Sequence, residues 1–174
     1  MARIGITFVW LIAAGLVAQG AEPSKATVKK LAQDLGDATL QGDYAKVIDF
    51  TYPGVVKEMG GRENAVKASE KLMKSAAALG VVLKAYKVGE AGEFLTEGGN
   101  MFVVVPTSSE MATTNGTLVR KSYLLGISSD GGNTWTFADG VGLDKKEYRD
   151  KVLPKLPAKL KLPAKEKPQI IKGN

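Results

Sequence analysis

Four polar side chains stand among apolar neighbours: Tyr52, Tyr86, Lys121 and Tyr123. Tyr52 precedes Pro53 at a break between helical stretches, Tyr86 alternates with Val82 and Val88, and Lys121 and Tyr123 alternate with Val119, Leu125 and Ile127. Residues two apart on a strand share a face, so these groups point the same way as the apolar side chains beside them. Phenols and an ammonium can hold a ligand by hydrogen bonds. They are poorly equipped for proton transfer alone, because the common general bases are imidazole and carboxylate. The chain has no His, and no Asp or Glu falls inside an apolar strand run; Glu93 and Glu97 lie near turns. No catalytic residue is therefore assigned. An inward lysine is itself unusual, since burying an unpaired charge is unfavourable, and Lys121 also suits a strand edge. With neither Cys nor His, the chain lacks the ligands that transition metals favour. No EF-hand-like carboxylate spacing is visible, so no metal and no cofactor are expected.

The positions of these groups depend on the elements around them. Ser24 is a fitting N-cap for a helix to about Leu40, with Val28, Leu31, Leu35 and Ala38 at helical spacing. Gly42 stops it, and Asp43 caps a second helix over Tyr44–Phe50. Pro53 starts a fresh turn carrying Val55, Val56 and Met59. After Gly60-Gly61, Arg62 to Leu79 reads as the longest helix, its packing stripe formed by Ala65, Val66, Ser69, Leu72, Met73 and Ala76. Beyond Gly80 the period shortens towards two. Strands are expected over Val81–Val88, Glu93–Thr96, Met101–Pro106, Thr117–Ser128 and Trp135–Ala138, separated by Gly- and Asn-containing turns. Helices followed by antiparallel hairpins define an α+β chain.

The stretch Asp37–Ala68 (short helix, Tyr-Pro break, apolar turn, glycine pair, long helix), followed by the strands to Asp139, resembles the nuclear transport factor 2-like (SnoaL-like) superfamily over about Thr27–Asp139. The resemblance implies a cone of N-terminal helices on a curved antiparallel sheet, with one cavity between them. It also implies a range of activities, because this fold hosts enzymes and inert binding modules alike. Catalytic members use a carboxylate base with a Tyr and an acid as oxyanion donors, and no such acid–base pair is recognisable here. The function expected is a non-catalytic domain binding a small apolar ligand or a partner protein, with Tyr52, Tyr86, Lys121 and Tyr123 as ligand contacts. The alternative within the family is an isomerase- or dehydratase-like enzyme using the tyrosines as donors. By the same analogy the chain is expected to form a homodimer through its sheet face.

Arg3, the uncharged run Ile4–Ala18 and the small residues of Ala18-Gln19-Gly20 make a secretory signal, with cleavage after Gly20 and export to the periplasm or beyond. The expected organisation is a signal at 1–20, the domain at 21–143 and an extension at 144–174. The formal net charge of +6 is uneven: Lys145–Asn174 carries ten basic and three acidic residues, Ala21–Asp144 thirteen and fifteen. Asp144 with Glu147 caps a short helix through Val152. Beyond it, Pro154, Pro157, Pro163 and Pro168 forbid a continuous helix; Leu153, Leu156, Leu160 and Leu162 can still grip an apolar surface as the extended chain passes over it, so the tail is expected to be partly docked and to fray after about Pro163. The tail is read as solvated, or as a contact to an anionic surface. Nucleic acid is not expected, because aromatic residues are not interleaved with the basic ones.

Ser128-Ser129-Asp130-Gly131-Gly132-Asn133-Thr134-Trp135 matches the Asp-box pattern Ser-x-Asp-x-Gly-x-Thr-Trp. Such boxes are hairpin turns of β-propellers. A propeller needs several blades, and one copy in a chain of this length is read as a structural turn, with the Asp satisfying local amides.

Overall fold

A computed structural model describes residues 23–172. Helices pack against a six-stranded antiparallel sheet, giving an α+β fold with α1 on one sheet face. The export signal expected at 1–20 lies outside the described residues. Among the described residues, no helix is long and apolar enough to cross a membrane.

The helices are α1 (Lys25–Gln41), α2 (Tyr44–Asp49), α3 (Pro53–Glu58) and α4 (Arg62–Ala78). Ser24 Oγ accepts the Thr27 N–H at the start of α1, and Gly42, at φ 73°, closes it. Asp43 accepts the Lys46 N–H at 3.1 Å to start α2, and Pro53 opens α3. The strands β1 (Val82–Val88), β2 (Leu95–Glu97), β3 (Asn100–Thr113), β4 (Gly116–Ser128) and β5 (Thr136–Asp139) follow. Then come the short helices α5 (Gly140–Leu143) and α6 (Lys146–Val152), and a last strand, β6 (Gln169–Ile171).

Three expectations need correction. First, β3 does not end at Pro106 but continues to Thr113. The carbonyl of Pro106 accepts from Gly89 and that of Val104 accepts from Gly92, so the backbone of Pro106 faces β1 and its missing N–H leaves no gap towards β4. Second, the stripe on α4 is largely unburied. Ala65 is its one buried residue, and Leu72 is 68% exposed, because α4 packs on α2 and α3 rather than on the sheet. Third, the tail is not frayed beyond Pro163. Residues 169–171 follow the last proline and pair with Thr117–Val119 of β4.

Strand alternation gives the sheet two unlike faces. Val103, Val105, Leu124 and Phe137 meet Val28, Ala32 and Leu35 of α1. On the other face Phe102, Tyr123, Leu125 and Ile127 meet Leu143, Val152 and Leu153, with Leu156, Leu160 and Leu162 of the tail packed on them. The tail is therefore a structural layer. It is also clipped by charge, Lys151 to Glu58 at 2.7 Å and Lys155 to Glu97 at 2.6 Å, which sets its basic residues against acids of the body. Its leucines cover the apolar part of the outer sheet face.

Candidate functional site

A gap in one sheet edge organises the site. β5 pairs with Leu124–Ile127 of β4 and β6 with Thr117–Val119. Among the described residues, no strand neighbours Arg120–Tyr123 on that side. The carbonyl directions of Val104 and Pro106 fix the alternation across the β3–β4 register, and this turns the N–H and C=O of Lys121 towards the open edge.

A cleft of about 210 Å³ occupies this gap. Its floor is Lys121 and Tyr123, one wall is Gly140, Val141 and Leu143 of α5, and Arg149 reaches in from α6. The tail segment Leu162–Glu166 roofs it. Two ion pairs fasten the roof: Lys121 Nζ lies 3.6 Å from Glu166 Oε2, and Lys165 Nζ 3.3 Å from Asp144 Oδ2. The latter pair holds the Asp144 carboxyl below its usual range. Tyr123 is 6% exposed, its ring lying against Gly140. Burial pushes its phenol upward; Arg149 opposes this, while Asp139 and Asp144 reinforce it. Arg149 Nη1 donates to the Leu143 carbonyl at 3.1 Å, tying α6 to α5.

Of the four residues expected to share a cavity, the structure brings together Lys121 and Tyr123 in this cleft. Tyr52 lies on the same outer side, against the cluster containing Tyr123 and Val152, but does not line the cleft. Tyr86 is on the opposite face. Its register partner Ser109 pairs with Arg120, and its ring rests on Gly36 of α1. The sequence reading placed four residues in one cavity because each strand's own alternation says nothing about which face another strand shares with it.

The same reading missed Asp139. This residue ends β5 opposite Leu124, on the α1 side of the sheet. Residue 139 is exposed. Burial raises its pKa, against the lowering effects of the Val141 N–H (2.8 Å), Arg120 and Ser122. Burial likewise pushes the Tyr86 phenol far upward, Asp139 adds to the shift, and a hydrogen bond with Thr107 opposes it. Arg120 and Arg149 were also missed; alternation with Ser122 and Leu124 was the available signal for Arg120, and none existed for Arg149.

The Asp-box segment folds as a tight turn. Asp130 Oδ1 accepts from Ser128 Oγ (2.8 Å) and the Thr134 N–H (2.9 Å), and Oδ2 from Thr134 Oγ1 (2.6 Å). These bonds hold its carboxyl down at about 2. Trp135 Nε1 donates to Gly132 O while its ring enters the core beside Phe94. Among the described residues, no three carboxylates converge in a way that could hold a metal ion.

The fold and cleft thus define an α+β domain with a recess of about 210 Å³ at a sheet edge. No family model, no curated protein and no solved structure matches the chain.

Proposed function

We propose that this chain is an exported SnoaL-like domain of the non-catalytic type, holding a small ligand in the cleft at the β4 edge. The observation that carries this reading is the roof. A tail that served only as a solubilising extension has no reason to arch over a recess lined by Tyr123, Leu143 and Leu162. Enclosure by apolar walls with a few convergent polar groups is the common form of a small-molecule site. Native mass spectrometry of protein purified from its own cells tests it. A small bound mass is expected in the wild type and is lost in Leu162→Asp. Empty protein, with no thermal shift from a panel of metabolites, overturns the reading.

A second reading, an isomerase- or dehydratase-like enzyme, draws support from the electrostatic pairing of Asp139 with Tyr86. A carboxylate with a raised pKa on the same sheet face as a phenol suits proton abstraction next to a carbonyl. Deuterium exchange into an enolisable ketone, abolished in Asp139→Asn, is the expected result. Equal exchange by the variant and by buffer alone removes this reading.

A further inference from the structure

The charges lining the cleft indicate what kind of molecule it takes, an inference that rests on the reading of the cleft as a ligand site. Each of its two lysines already has a carboxylate, Glu166 for Lys121 and Asp144 for Lys165. Its two arginines are differently placed. Arg120 is half-buried and makes no ion pair or side-chain hydrogen bond among the described residues; the charge it acts on is Asp139. Arg149 is 26% exposed and spends one N–H on the Leu143 carbonyl. The carboxylate nearest its Nε, that of Asp150, stands 4.0 Å away and is bound by Lys146.

The side chains of Arg120 and Asp139 both belong to the α1 face of the sheet, so on the cleft's own side Lys121, Lys165 and Arg149 stand against Glu166 and Asp144, one positive charge in excess, on a guanidinium whose planar fork is only partly used. A half-buried, incompletely paired guanidinium is a receptive partner for an anion, because water is displaced from it already. One excess charge matches a monoanion. A dianion such as phosphate at neutral pH would face Asp144 and Glu166 across the same small space. The fork matches a carboxylate in two parallel hydrogen bonds. The outward N–H of Lys121 at the open edge supplies a further donor. The rest of the wall is apolar or aromatic: Tyr123, Val141, Leu143 and Leu162.

We propose that the cleft takes a small monocarboxylate with an apolar body, its carboxylate held by Arg149 and the Lys121 edge and its body against Tyr123, Leu143 and Leu162. Titration of the full mature chain with benzoate, benzamide and inorganic phosphate, followed by backbone amide NMR, tests this. Benzoate should shift the signals of Lys121, Tyr123 and Leu143 saturably, with benzamide and phosphate roughly tenfold weaker or more. Arg149→Gln should weaken benzoate by roughly tenfold or more. Arg149→Lys, which keeps the charge but not the fork, should fall between. Lys161→Gln, on the exposed side of the tail, should bind as wild type.

Benzamide binding as tightly as benzoate overturns the charge assignment while leaving the cleft as a ligand site. Phosphate binding more tightly than benzoate, unchanged binding in Arg149→Gln, or loss in Lys161→Gln does the same. No shift at the cleft with any of the three probes overturns the carboxylate proposal. A bound neutral mass in the native spectrum would then keep the ligand-site reading, and an empty spectrum would end both.

Discussion

The ring of Tyr123 lies directly against Gly140, so that a Cβ at position 140 would meet its Cε1 at 2.5 Å. Gly140 is the first residue of α5, whose wall faces the cleft floor. The absence of a side chain there lets the phenol lie flat beneath the cleft. Gly140→Ala must push the ring into the cleft or lift α5 from the sheet. Overpacking of this kind costs about 1–3 kcal/mol. A lower denaturation midpoint is expected, with loss of the ligand. Gly140→Ala combined with Tyr123→Leu should be less destabilised than the two single changes predict, because residues in contact couple. Simple additivity in the double-mutant cycle would contradict the contact.

The second close glycine joins the other face. A Cβ on Gly36 would run into the Tyr86 ring. Alanine favours a helix over glycine by about 1 kcal/mol, so on α1 alone the exchange stabilises. Against Tyr86 the opposite sign is expected: Gly36→Ala should lower stability by about 1–2 kcal/mol net. The same exchange in a Tyr86→Ala background should raise it. Urea unfolding of the four chains decides between the two effects.

Asp130 and Asp139 should give opposite pH responses. The folded-state pKa of Asp130 is depressed to about 2 from an ordinary 3.8. Its contribution is present above pH 3.8 and is lost as pH falls from there through about 2. Asp130→Asn should therefore lower the melting temperature at neutral pH and flatten this part of the acid limb. Asp139 is shifted upward. Its neutral form is favoured in the fold, so its contribution is full below the ordinary 3.8 and is lost as pH rises through the raised value. Asp139→Asn, which keeps an acceptor for the Val141 N–H, should leave neutral-pH stability equal or higher. Melting curves across the acid range check both signs, and parallel behaviour of the two variants would contradict the assignment.

Tail deletion should destabilise the protein as well as remove charge. Stopping the chain after Leu153 removes Leu156, Leu160 and Leu162 from the outer cluster and strips β4 of β6. A fall of several kcal/mol is expected, given about 1.5–3 kcal/mol for each fully buried large apolar side chain and less for these half-buried ones. The anionic-surface reading of the tail is better tested without deletion. Lys159, Lys161 and Lys167 are exposed and have no ion-pair partner among the described residues. Replacing all three with Gln should leave melting unchanged. If the tail serves as a surface contact, the variant should lose salt-sensitive sedimentation with phosphatidylglycerol vesicles. Equal sedimentation of variant and wild type would set that role aside.

Much of the local structure was legible in the residues. Ser24 and Asp43 cap helices where side-chain oxygens precede apolar periodicity, Gly42 and Gly80 take positive φ at helix ends, and the Ser128–Trp135 signature folds as a tight turn. Each of these is decided within a few residues, by bonds that the local sequence itself supplies. Alternation likewise marked Lys121 and Tyr123 as facing the same way as their apolar neighbours; for Tyr86 it holds with Val88 but not with Val82, because a register shift between Leu83 and Ala85 reverses the phase of β1. The continuation of β3 through Pro106, however, depends on which strand its backbone faces, and that is set by pairing with β1 rather than by proline's own preference.

What only the tertiary structure decided is which faces are shared. Register places Lys121 opposite Ser108 and Arg120 opposite Ser109, separating Tyr86 from Lys121 and Tyr123 across the thickness of the sheet. The recess exists because two strands far apart in sequence, β5 and β6, pair with one edge and stop short of each other. Its roof is a tail that composition alone marks as solvated, because charge and proline content describe the exposed side of that segment. The leucines of that segment are legible as able to grip an apolar surface, but which surface they cover, and that the segment roofs a recess, is decided by packing alone.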